Sequence, residues 1–186
     1  MAINRREALK SMVLMMGGTM IGANVILTGC APEDRIEGLE FSEEDIAYMD
    51  EIGETIIPTT DTPGAKEAGV GSFMVVMVKE TYNQEQQETF VNGLNSLKKN
   101  FKSEIGVAFM DASHEQRLNY LNSLNEELRS GDSENGPKYI SMLKDLTVLG
   151  YFTSEIGATQ ALRYVETPGK YDGCMDYKKG DRAFAL

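Results

Sequence analysis

In segment after segment of this chain, apolar residues return every three or four positions, and clusters of turn-forming residues separate the segments. That spacing gathers apolar side chains on one face of an α-helix. Phe90, Val91, Leu94, Leu97 and Phe101 make one such stripe between Gln84 and Phe101. Leu118, Leu121, Leu124 and Leu128 make another, behind Ser113 and Gln116, which fit a capping box. Upstream, Ser42 fits a helix N-cap, and the acids Glu43, Glu44 and Asp45 suit the positive end of the helix dipole. Ile46, Met49, Ile52, Ile56 and Ile57 follow at roughly helical spacing until Pro58 ends the run. The stretch FMVVMVKETY, 73–82, is apolar enough for a buried strand or a buried helix; its methionines and its helical neighbours favour the helix. Pro137 suits the first position of a helix over Tyr139 to Thr153, and a short last helix is expected from Ile156 to Tyr164. The expected class is all-α: one compact domain over 42–186 with about five or six helices. A long irregular C-terminal segment, VETPGKYDGCMDYKKGDRAFAL, closes the chain, and it is expected to lie over the surface or over a partner.

The first thirty residues read differently. Arg5, Arg6 and Lys10 form a positive start, residues 11–27 a modest apolar run, and LTGC ends it at Cys30. This is the build of an export leader. The apolar run is too short and too rich in Gly and Thr for a good spanning helix, which needs about 20 apolar residues. Weak hydrophobicity beside Arg5 and Arg6 fits the twin-arginine type, with Leu9 and Lys10 agreeing and Asn4 and Ala8 departing from the commonest pattern. LTGC resembles a lipobox, so Cys30 is the expected lipidation site and the first residue of the mature chain. Residues 31–41 then make a polar tether. The expected location is the bacterial cell envelope, exported, on the periplasmic side, and held to a membrane by lipid rather than by a spanning helix.

Charge narrows the partners. The 186 residues carry 18 basic and 29 acidic side chains, a formal charge of −11, with no basic stripe. Such a surface repels nucleic acid and anionic lipid. With Cys30 lipidated, Cys174 has no partner within the chain. In an oxidising compartment it is either a buried inert thiol or one that bridges to another chain.

No catalytic constellation is legible. The one histidine, His114, follows the cap Ser113 and fits a solvated helix end. No Cys/His cluster has metal-ligand spacing, and no dinucleotide, haem-attachment or nucleophile-elbow pattern is present. Glu43/Glu44 and Glu126/Glu127 are adjacent in sequence, hence about 100° apart on a helix, and cannot face each other. Of eleven methionines, five lie in the first twenty residues and the others mostly sit in apolar stripes, where Met fills gaps. The chain is expected to be no enzyme by itself and to hold no cofactor and no metal. Two stretches stand out, IIPTTDTPGAKEAGV at 56–70 and LTVLGYFTSEIGATQALRYVETPGKYDGC at 146–174. Long irregular connections in a compact domain are either functional or unusual turns that pack internally.

On these two stretches, together with the leader, the chain resembles the small subunit of membrane-bound gluconate 2-dehydrogenase, the subunit 3 family. The resemblance covers most of the chain and rests on no catalytic motif. It implies a non-catalytic accessory subunit. The implied partner is a large flavoprotein of the glucose–methanol–choline type, which holds FAD and oxidises a sugar or polyol; a cytochrome c is a further candidate partner. The implied tasks are assembly, twin-arginine export and membrane anchoring of that flavoprotein. It also implies Cys174 as a candidate inter-subunit disulfide, and Pro58, Asp61, Pro63, Gly64, Tyr151, Phe152, Tyr164 and Tyr171 as candidate partner-facing residues. The lipobox departs from the general family pattern, and nothing specifies gluconate. The alternative is a stand-alone envelope lipoprotein that acts as a structural or binding module.

Overall fold

The computed structural model describes residues 36, 38–130, 137–167, 169, 173–176 and 178–185. Arg5, Arg6, Cys30 and Tyr171 lie outside the described residues, as do the leader and most of the tether. The described fold is all-α. Its helices are α1 (Glu43–Ile56), α2 (Val70–Thr81), α3 (Gln84–Ile105), α4 (His114–Arg129) and α5 (Lys138–Thr153), with a 3-10 turn at Phe109–Asp111.

Local chemistry sets most of the boundaries. Ser42 caps α1: its hydroxyl accepts from the Asp45 N–H, and the Asp45 carboxylate accepts from the Ser42 N–H. Ser113 and Gln116 cap α4 in the same reciprocal way. A third capping box, Asn83 with Gln86, starts α3 and is not among the sequence expectations. Each such cap is worth about 1 kcal/mol, because it satisfies amides that the first turn leaves open. Pro58 bars its predecessor from helical geometry, so α1 stops at Ile56 and Ile57 leaves the helical range at a ψ of 85°. At the far end of α3, Gly106 takes a φ of 86°, the left-handed cap that a side chain resists.

The apolar stripes meet in one core. Met49 and Ile52 of α1, Met74 and Val78 of α2, Phe90, Leu97 and Phe101 of α3, and Ile140, Leu143 and Leu146 of α5 are all buried. Burying one such side chain contributes roughly 1.5–3 kcal/mol. Helix α5 packs against each of the other four helices. On the α3–α4 side the core is aromatic: Phe101 meets Phe109 at 4.9 Å and Tyr120 at 5.0 Å, both edge to face. Tyr48 joins through Phe109, and its buried hydroxyl has no hydrogen-bond partner; burial raises its pKa and keeps the phenol neutral. The α4 stripe is only partly covered. Leu121 is buried and Leu118 is exposed.

Two expectations need correction. Pro137 is the N-cap of α5 rather than its first helical residue; its ψ of 68° lies outside the helical range. The short last helix expected over Ile156–Tyr164 is present but is π-helical over Gly157–Ala161 and ends there, giving way to a short strand. The cause lies at the end of α5. The Ser154 hydroxyl donates to the Tyr151 carbonyl (2.6 Å) and accepts from the Gly157 N–H (3.0 Å), which ties the last turn of α5 to the turn that follows. A Cβ at Gly157 would lie 1.9 Å from the Tyr151 carbonyl oxygen, so only glycine passes there. Strand β1 (Arg163–Tyr164) then pairs in parallel with β2 (Phe184–Ala185). The region from β1 onward has no further helix among the described residues.

Candidate functional site

The two stretches that stand out in the sequence come together in space. The connection between α1 and α2, residues 57–69, folds onto α1 and touches the end of α5. Its scaffold is a single carboxylate. Oε1 of Glu54 accepts from the Thr59 N–H and the Thr59 hydroxyl, both at 2.8 Å, and Oε2 accepts from the Lys66 N–H at 3.1 Å. The Thr59 hydroxyl in turn accepts from the Gly64 N–H. Gly64 lies so close that a Cβ there would sit 2.2 Å from Oε2 of Glu54. Burial works to raise the pKa of the Glu54 carboxyl. The bonds from Thr59 and the Lys66 amide, with the Lys66 charge, outweigh that and hold it below the ordinary glutamate value.

From the other side, Tyr151 of α5 pins the same connection. Its hydroxyl donates to the Pro63 carbonyl at 2.8 Å and lies 3.3 Å from the Thr62 hydroxyl. Asp50 secures the next element. Its carboxylate accepts from the Gly71 N–H at 2.6 Å and so supplies the first turn of α2 with the acceptor that its N-cap, Gly69, lacks. Burial raises the Asp50 carboxyl, against the lowering effect of that bond and of Lys66. Glu51 pairs with Lys66 at 2.8 Å and with Arg117 of α4, whose guanidinium also donates to the Ala112 carbonyl at 2.9 and 3.1 Å. The two successive carboxylates after Met49, Asp50 and Glu51, together with Glu54, thus hold a connection, a helix start and a neighbouring helix.

The candidate residues divide by this geometry. Gly64 and Tyr151 are turned inward, Tyr151 with only 2% of its surface exposed, and both build the scaffold. Pro63 is half-buried, with its carbonyl engaged by Tyr151. Pro58 and Asp61 are exposed on the crest of the connection. Phe152 stacks edge to face on Tyr151 at 5.2 Å, yet is 39% exposed. Tyr164 is exposed on β1, and Cys174 is exposed in a turn at 173–174. Sequence reading missed Asp50, Glu51, Glu54 and Arg117. The only signal was an acidic run on a helix facing a loop full of free amides, and that pattern looks the same as a solvated face.

In this arrangement the Glu54, Asp50 and Glu51 carboxylates and the Tyr151 hydroxyl are all engaged in bonds that position the connection and its neighbours. Among the described residues, no group of three or more His, Cys, Asp or Glu is placed to hold a metal ion. His114 is exposed on the first turn of α4. No helix among the described residues is long and apolar enough to cross a membrane.

A family model described as gluconate 2-dehydrogenase subunit 3 matches residues 43–169, well over half of the chain. The matched span runs from the first turn of α1 past β1 and takes in the first stretch whole and the second as far as residue 169. The chain belongs to the gluconate 2-dehydrogenase subunit 3 family. No curated protein and no solved structure gives a significant match.

Proposed function

Starting from this family membership, we propose that the chain is a non-catalytic accessory subunit of a membrane-associated, FAD-dependent sugar or polyol dehydrogenase. Its partner is a large flavoprotein of the glucose–methanol–choline type, with a cytochrome c as a further candidate, and FAD belongs to the flavoprotein. The leader with Arg5 and Arg6 directs export of the already folded pair, and Cys30 carries the lipid that keeps the pair at the envelope membrane. Cys174 is a candidate for a disulfide to the large subunit.

The observation that carries this reading is the family match across residues 43–169, which covers both the α1–α2 connection and the end of α5. Two further features support it. The carboxylates and the Tyr151 hydroxyl around the α1–α2 connection are spent on structural bonds. Twin-arginine export carries folded proteins, a route that suits an enzyme loaded with flavin more than a small helical chain. The test is gentle detergent extraction from the native cell with an affinity tag after Leu186, then a flavin absorbance spectrum and the subunit masses of the complex. A yellow complex with a large flavoprotein is expected. A colourless lone lipoprotein, recovered repeatedly under mild conditions, refutes the proposal.

A further inference from the structure

Helix α5 is apolar all round over its last two turns. From Leu146 to Phe152 the sequence is LTVLGYF, without a charge. A helix of that kind is normally covered on every side. Here only one side is covered. Leu146, Thr147, Gly150 and Tyr151 are buried by the neighbouring helices and the α1–α2 connection, whereas Val148 is 47% exposed, Leu149 45% and Phe152 39%. Positions 148 and 152, and 149 and 152, are one helical turn apart, so the three side chains form a single strip. The strip adjoins the scaffold directly, because Phe152 rests on Tyr151 and Tyr151 holds Pro63.

We infer that this outer strip of α5, Val148, Leu149 and Phe152, is the face on which the dehydrogenase partner subunit docks, through an apolar and uncharged patch of its own. The inference rests on the accessory-subunit reading and gives that reading a surface. Family membership supplies a partner subunit. Charge disfavours the two other occupants: at a formal charge of −11 two copies of this chain repel each other, and anionic lipid repels the chain. The distribution of apolar exposure points the same way. Of the eleven large apolar side chains exposed among the described residues, seven fall between Val148 and Phe184, the part of the chain with the least regular structure. Beyond α5, that segment is tied by the two-residue β1–β2 pair, whose residues are exposed or half-buried. The uncharged strip on α5 and the scattered exposed apolar side chains Tyr164, Val165, Met175 and Phe184 of the charged segment beyond it fit an apolar contact centre with a polar rim.

The test uses the full chain in its native cell, with a photo-crosslinking phenylalanine analogue placed at Leu149 and, as control, at Val107. Val107 is 40% exposed and follows the C-cap of α3, outside the strip. After irradiation and extraction, the cross-linked species is identified by mass. A cross-link from position 149, and none from 107, to a dehydrogenase subunit is the expected result. A cross-link from 149 to a second copy of this chain or to lipid overturns the inference. So does a dehydrogenase subunit that co-purifies but is never cross-linked from 149. Leu149→Glu gives an independent readout, with co-purified dehydrogenase expected to fall about tenfold or more at unchanged helix content; an unchanged yield overturns the inference. If the unsubstituted chain brings down no dehydrogenase subunit at all, the accessory-subunit reading itself has failed.

Discussion

The α1–α2 connection and the C-terminal segment look alike in sequence, both rich in glycine and proline and both without periodicity. In the molecule they are opposites. The connection is bound into the domain by Glu54, Tyr151 and the Glu51–Lys66 pair. The segment after α5 is tied back by a two-residue strand pair and by the Arg163 guanidinium, 4.6 Å from the centre of the Phe184 ring. Loop composition therefore does not tell a scaffold from an interaction arm. What separates them is whether the rest of the fold supplies acceptors for the loop's amides and a donor for its carbonyls.

That contrast breaks first at Gly64. Gly64→Val drives a side chain into the Glu54 carboxylate and opens its bonds to Thr59 and Lys66, so a loss of about 3 kcal/mol in urea unfolding is expected. A cost under about 0.5 kcal/mol means that the connection is no more tightly held than the tail. Tyr151→Phe removes only the hydroxyl that holds Pro63 and is expected to cost about 1 kcal/mol at an unchanged denaturant slope.

The acid limb of the stability curve sharpens the comparison further. Glu54 is held below its ordinary value of 4.5, so its contribution is complete above that value and is lost as pH falls through the lower, folded-state pKa. Glu54→Gln should flatten the acid limb. Asp50 carries the opposite sign: its folded-state pKa lies above 3.8, so ionising it costs stability as pH rises. Asp50→Asn keeps an acceptor for the Gly71 N–H and should leave stability at neutral pH equal or higher. Titrations of the two variants that shift in the same direction would contradict the assignment.

The smallest effect is expected in the tail. Arg163→Ala removes a contact worth about 0.5–1 kcal/mol at most, between exposed groups. Global stability should move by less than about 0.5 kcal/mol, while proteolysis between β1 and β2 should quicken several-fold. A large drop in global stability would show that the tail belongs to the core.

The sequence by itself determined the class and most of the helix limits. Ser42, Ser113, Pro58 and the stripes from Phe90 to Phe101 act within one or two helical turns, and such signals survive in a bare chain. It also led to two stretches, one of them wholly and the other mostly within the family match. It did not separate inward from outward residues within them. Tyr151 and Phe152 are neighbours of similar character, yet one is buried and bonded to a residue 88 positions away and the other faces out. Nor did it foresee the turn at Gly157, which depends on a serine hydroxyl placed against the end of α5. Tertiary structure decided which residues face inward, because the Tyr151 hydroxyl acquires its partner only when segments distant in sequence have packed; the turn at Gly157 is local, made by Ser154 with partners three residues away on either side. Burial then makes an unmet amide costly enough to fix the arrangement.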